Sequence, residues 1–207
     1  MAHQHPTDNP VKHRLTELGN DRLEIAKWKV VFKESFNLQY FYQIFHDFLI
    51  EEGWATKDDH DFGETYYVQR DNPNFGKELR IRWRFERKAP GTKSKLFTYT
   101  LDIDWYALGI KDTDVVVKGQ KVKAQKGELE LTVAGALILD KEREWEKSAL
   151  RPLRNIFINR VLKNQFLMHK REVWESTYKV RDFVTNYFKM PVIFPGEEEF
   201  HARRTLE

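Results

Sequence analysis

In the stretch LRIRWRFER, residues 79–87, Leu79, Ile81, Trp83 and Phe85 alternate with Arg80, Arg82 and Arg84. A period of two places successive side chains on opposite faces of an extended chain, so the pattern predicts a half-buried strand. The same alternation marks TYYVQR before it and LFTYTLDIDWY after it, with the turn-rich stretches DNPNFG and RKAPGTK between them. DTDVVVKGQKVKAQ reads as a hairpin turning near Gly119 and Gln120, and GELELTVAGALILD as a long returning strand. Short connections make such consecutive strands antiparallel. Upstream, Trp28, Val30 and Phe32 alternate with Lys27, Lys29 and Lys33 and predict one strand more.

Elsewhere the apolar period lengthens to three and four. Leu38, Phe41, Phe45, Phe48 and Leu49 predict a helix that Asn37 can cap and Gly53 can end. Asp8 and Pro10 introduce a shorter one over residues 11–18, which Gly19 stops. Residues 141–150 read as a charged helical turn or two. From Pro152 to Lys189 nothing interrupts the helical pattern until Pro191, and one helix of that length would run about 55 Å. Its apolar arc shifts on the way. Leu153, Ile156, Phe157 and Val161 mark one arc, whereas Leu162, Phe166, Val173, Val180, Val184 and Tyr187 mark another. Either the helix bends or breaks near residues 163–165, or its halves serve different surfaces.

These elements predict an α+β fold of two layers. An antiparallel β-sheet of about six strands, in a meander, is covered on one face by an N-terminal helix and a long C-terminal helix. Residues 1–9 are expected to form a flexible leader, 10–190 a single domain and 191–207 a mobile tail.

Composition narrows the class. The chain has 207 residues, enough for one domain with a proper core, and its 14 % of aromatic residues argues against wholesale disorder. A net charge of +3 neither suggests nor excludes a nucleic-acid partner. The absence of cysteine removes disulfides, thiolate nucleophiles and cysteine-held zinc. No apolar run is long enough to span a bilayer and the first residues do not resemble a secretory signal, so a cytoplasmic protein is expected.

The arginine stripe asks what its guanidinium groups face. If LRIRWRFER pairs with LFTYTLDIDWY, Phe97, Tyr99, Leu101, Ile103 and Trp105 join the apolar face. The arginines then lie beside Thr98, Thr100, Asp102 and Asp104, with Arg80 opposite Asp102 in one register. An anion-binding face would not be laced with carboxylates, and Glu128 and Glu130 add two more. The arginines are therefore expected to face water.

Other chemistry is sparse. The acidic loop with Asp58, Asp59, His60, Asp61 and Glu64 does not have the ligand spacing of a calcium loop, and no metal site is assigned. Arg160, Lys163, Lys170 and Arg171 form a basic surface, joined by Arg181 further on, and residues 151–171 contain no acid. A nucleic acid or an acidic partner would fit there, as would a solvated helix face. His46, His169 and Tyr178 fall near apolar positions of helices. Gly-rich phosphate loops, nucleophile elbows and HExxH are absent. Neither a catalytic residue nor a cofactor is assigned, and whether the chain is an enzyme stays open, with the missing motifs leaning against it.

The order of one strand, a helix, antiparallel strands and a long helix is similar, over residues 28–189, to the helix-grip superfamily of lipid-transfer and pollen-allergen-like proteins. The resemblance implies a curved sheet wrapped round the last helix and enclosing an apolar cavity. It carries over no ligand-binding residue. The leading expectation is a binder of an apolar or amphipathic small molecule, held by Trp83, Phe85, Tyr99, Trp105, His169 and Tyr178 between sheet and C-terminal helix. The alternatives are a protein-interaction or assembly subunit, hetero- or homo-oligomeric, that docks through the long helix and tail, and a nucleic-acid binder using the basic helix face. Apolar helix surface in excess of what the sheet can cover would favour the interaction subunit.

Overall fold

A computed structural model describes residues 21–58, 61–90, 96–117, 120–148, 151–153, 156 and 160–189. The expected leader, the helix over 11–18, Gly119 at the hairpin tip and the tail lie outside these residues. In chain order the elements are β1 (Asp21–Phe32), β2 (Ser35–Phe36), α1 (Leu38–Glu51), β3 (Glu64–Asn72), β4 (Gly76–Lys88), β5 (Phe97–Val117) and β6 (Gln120–Leu139). A single turn, α2 (Glu144–Lys147), and a 3-10 turn at Arg151–Leu153 lead to α3 (Lys163–Lys189).

All strand pairs are antiparallel, and the order across the sheet is β1-β6-β5-β4-β3, with β2 beside β6. Strands β3 to β6 are the expected meander, and β1 closes back onto the last of them. Both helices pack on one face, giving the two-layer α+β architecture. Asn37 caps α1 by accepting from the Tyr40 N–H at 2.9 Å. The chain leaves α1 through Gly53 at φ +71°, a conformation that favours glycine. Helix α3 begins at Lys163, where the apolar arc of the sequence changes, and its 27 residues span about 40 Å. The shift marks a break between segments, which resolves the choice the sequence left open.

The inner face is a dry aromatic layer. Trp83 and Trp105 meet at 4.8 Å, and Phe45 of α1 sits 5.5 Å from each. Phe48 of α1 stacks on Phe183 of α3 at 4.1 Å, joining the helices over the sheet. Gly135 lets α3 approach closely: a Cβ there would lie 2.0 Å from Thr177 Oγ1. The Trp28 indole N–H on β1 donates to the Thr177 carbonyl at 3.0 Å, tying the edge strand to the same point of α3.

The outer face corrects the expected water-facing stripe. The side chains of Arg80 and Arg82 are 50 % and 36 % exposed, but that of Arg84 is only 9 % exposed. Arg84 Nη2 meets Asp104 Oδ1 at 2.6 Å, and its Nε lies 3.5 Å from Asp102 Oδ1. Arg22 of β1 reaches across β6 to Asp102 Oδ2 at 2.5 Å. At that level β6 shows only Ala134 and Ala136 on the outer side, which leaves room for the arm. The register is also corrected. Arg84 stands opposite Asp102, Arg82 opposite Asp104 and Arg80 opposite Tyr106. Both registers preserve the inner and outer faces, because alternation fixes position only to within a multiple of two.

Candidate functional site

The expected pocket residues divide into three groups. Trp83, Phe85 and Trp105 are buried and in ring contact with their neighbours; Phe62 lies 5.0 Å from Trp83 and 5.2 Å from Phe85. Glu64, from the acidic loop, accepts from the Trp83 indole and the Tyr42 hydroxyl at 2.9 Å each. Asp59 and His60 of that loop lie outside the described residues. Clefts among the described residues occur elsewhere. One of about 540 Å³ is lined by Asn37, Gln39, Asp112, Asp114, Lys123 and Gln125, beside the base of the β5–β6 hairpin. Another, about 220 Å³, is lined by Glu86, Arg87, Lys88, Thr98, Lys141 and Glu142, where Lys141 pairs with Glu86.

Tyr99 and His169 form the second group, and the structure brings them together. Alternation on β5 turns Tyr99 toward α3, and the buried arc of α3 carries His169 to it. The Tyr99 hydroxyl lies 2.7 Å from His169 Nδ1 and donates to Glu172 Oε2 at 2.7 Å. The phenol has one proton, so His169 Nδ1–H donates to the phenol oxygen and Nε2 is left as the bare acceptor. That nitrogen is buried without a partner among the described residues, and the His169 ring packs 4.5 Å from Phe97. Burial holds the His169 pKa below its ordinary value, although Glu172 pulls it upward. The Tyr99 phenol is pushed up by burial and by its bond to Glu172.

Arg87 of β4 extends this polar seam. It donates to the Glu52 carbonyl at 3.0 Å and to Ser176 Oγ at 3.1 Å, and stacks 4.1 Å over Trp54. Burial lowers its pKa, while Glu172, Tyr99 and Glu52 oppose that effect. The Tyr99–His169, Tyr99–Glu172 and Arg87–Ser176 contacts each run from a strand to α3. Sequence reasoning singled out Tyr99 and His169 but missed Glu172 and Arg87.

Tyr178 belongs to neither group. It stacks on Trp174 at 4.4 Å with Arg181 4.5 Å over its ring, on the flank of α3 turned away from the seam. On this flank Leu167 is 50 % and Trp174 48 % exposed. Arg160, Lys163, Lys170 and Arg171 are exposed too, as the basic-surface reading requires. Arg171 pairs with Glu175 at 2.7 Å and Arg181 with Asp182 at 3.2 Å. Trp174 was missed, yet the sequence carried a signal for it: a large ring lying off the buried arc at helical spacing.

No protein-family model, curated protein or solved structure matches the chain. Among the described residues no helix is long and apolar enough to cross a membrane.

Proposed function

We propose that this protein is a non-catalytic interaction module whose helix α3 binds an acidic, amphipathic segment of a partner protein. One observation carries the reading. Leu167 and Trp174 are half exposed on a helix whose opposite positions Val173, Val180 and Val184 are fully buried. The sheet already occupies one face of α3, so these side chains are apolar surface beyond what the fold covers. Leu167, Trp174 and Tyr178 follow one another at seven and four residues, the spacing of a seam that receives a second helix. Residues 151–171 contain no acid, and Arg160, Lys163 and Lys170 border the seam, so an acidic partner is electrostatically matched.

The competing readings have less support. For nucleic acid, Arg171 and Arg181 are already paired with acids, and Trp174 and Tyr178 stack on each other instead of presenting free faces to bases. For an apolar small molecule between sheet and α3, Trp83, Phe85 and Trp105 would have to part from rings they now touch.

The test begins with a photo-cross-linking residue at position 167, introduced in the native cell, and continues with the purified pair. The expected partner carries an acidic amphipathic helix. Trp174→Glu is expected to weaken the complex by about 30-fold, roughly 2 kcal/mol, while circular dichroism stays unchanged. A partner without such a segment, or equal affinity for the variant, overturns the reading. Salt-dependent binding of generic RNA through Lys163 and Lys170 would replace it with the nucleic-acid one.

A further inference from the structure

We propose that His169 is an acid-sensitive latch, whose protonation opens the Tyr99–His169–Glu172 seam and frees the N-terminal half of α3 from the sheet. The geometry leaves the second ring nitrogen no way to carry a proton in place. His169 is 0 % exposed, its Nδ1 is committed to the Tyr99 hydroxyl at 2.7 Å, and Nε2 has no hydrogen-bond partner among the described residues. A bare acceptor in an apolar setting is tolerated at modest cost. An imidazolium there would instead hold a buried, unsatisfied N–H bearing charge, which costs considerably more.

The opposite tautomer does not relieve this. If Tyr99 donated to Nδ1, its oxygen would face Glu172 Oε2 at 2.7 Å with no proton between them. The seam therefore has one arrangement that leaves no buried donor unpaired, with neutral imidazole.

Titratable groups meet His169 from three directions among the described residues. Glu172 approaches from α3 itself and Tyr99 from β5. Behind Tyr99 stands Arg87 of β4, 5.6 Å from the phenol ring, with the Glu52 carbonyl accepting from it. Glu172 would welcome a cation, but its contact is with the phenol. Phe97 at 4.5 Å offers only hydrocarbon to the ring. Burial accordingly outweighs Glu172 and depresses the His169 pKa.

The response is local because the two halves of α3 are held differently. Toward the C-terminus, Phe183 stacks on Phe48, and Tyr187 and Phe188 lie 4.7 and 4.8 Å from Phe41. Toward the N-terminus the seam lies beside Leu162, Phe166 and Val173, with no stacked rings from α1 among the described residues. Opening at residues 166–176 should precede loss of the aromatic layer. This latch is independent of whether α3 docks a partner.

The sign follows from linkage. A histidine neutral in the closed state and free to titrate in the open state takes up one proton on opening. Closure is therefore undiminished above the ordinary value of 6.5 and weakens as pH falls below it. Hydrogen exchange of the full chain, corrected for intrinsic rates, is measured between pH 7.5 and 5.0. Protection at residues 166–176 is expected to fall by up to about tenfold per pH unit below about 6.5, while α1 and β5 keep theirs. In His169→Gln, which cannot take the proton, that dependence should vanish. An equal slope in the variant, or no slope in the wild type, overturns the proposal. If the variant does not fold, the wild-type ring decides by NMR: an imidazole titrating at its ordinary value while α3 stays protected overturns it, and a ring that charges only as α3 opens supports it.

Discussion

Over residues 97–105 strand β5 is buried on both faces, and the two are built of opposite materials. Toward the helices it presents Tyr99, Leu101, Ile103 and Trp105; away from them it presents Thr98, Thr100, Asp102 and Asp104. The inner side stabilises by removing apolar surface from water, about 25 cal/mol per Å², and is indifferent to partner identity. The outer side gains little net energy, because the desolvation of Arg22, Arg84, Asp102 and Asp104 offsets most of their attraction. What it contributes is position. Sliding β4 by two residues keeps the inner rings inward, yet it moves Arg84 from its place opposite Asp102 to one opposite Thr100 or Asp104. Rings select the face, and ion pairs select the register.

The largest effect is expected from taking away one charge of that outer set. Asp102→Ala leaves Arg22 and Arg84, with side-chain exposures of 2 % and 9 %, short of their shared carboxylate. Breaking a buried pair from one side costs about 3–5 kcal/mol. Denaturant unfolding should show that loss as a lowered midpoint with an unchanged slope. A loss below about 1 kcal/mol would mean that the guanidinium groups find water, and the two faces would no longer differ as described. Burial also raises the Asp104 carboxyl against the pull of Arg84, so by linkage the native state takes up this proton before the unfolded chain does and the Asp104 contribution to stability grows as pH falls through the carboxylate range.

Much of this comparison was legible in the chain, and its limits are physical. Alternation in LRIRWRFER and LFTYTLDIDWY assigned Trp83, Phe85, Phe97, Tyr99 and Trp105 to one face, and the structure agrees. Asn37 and Gly53 bound α1, and the change of arc after Val161 marks the start of α3. Burial of the outer face was not legible, since alternation says which side is apolar but not whether the polar side is also covered. The partners of Arg84 were hidden by a register four residues from the one chosen. The seam was half visible. Tyr99 and His169 drew notice singly, but their contact spans 70 residues of sequence, and that of Tyr99 with Glu172 spans 73. No local pattern couples such positions.

A second, smaller effect tests how tightly the inner layer is closed. Gly135→Ala would place a methyl 2.0 Å from Thr177 Oγ1 and 3.1 Å from Thr177 Cβ. That hydroxyl already donates to the Val173 carbonyl at 2.7 Å, so it cannot simply turn aside. Either α3 lifts or the threonine breaks its bond, at about 1–3 kcal/mol. Adding Thr177→Ala should recover part of the loss. Thermal unfolding of the two variants checks it; an unchanged midpoint for Gly135→Ala would show that α3 rides higher on the sheet than described.

The smallest effect separates ring packing from hydrogen bonding within the inner layer. Trp83 and Trp105 are neighbours of similar burial, but only Trp83 uses its indole N–H, donating to Glu64 at 2.9 Å. The Trp105 Nε1 is buried without a partner. Trp83→Phe and Trp105→Phe remove the same ring volume, so their packing losses largely cancel on comparison. The Trp83 variant also loses a bond to a carboxylate, a contribution of about 1.5–3 kcal/mol. Glu64 keeps the Tyr42 hydroxyl, at 2.9 Å, which places the difference at the low end of that range. The Trp105 variant sheds an unsatisfied donor and should lose less than about 1.5 kcal/mol. If the two substitutions prove equal, the inner face is uniform hydrocarbon after all, and its contrast with the ion-paired outer face becomes sharper.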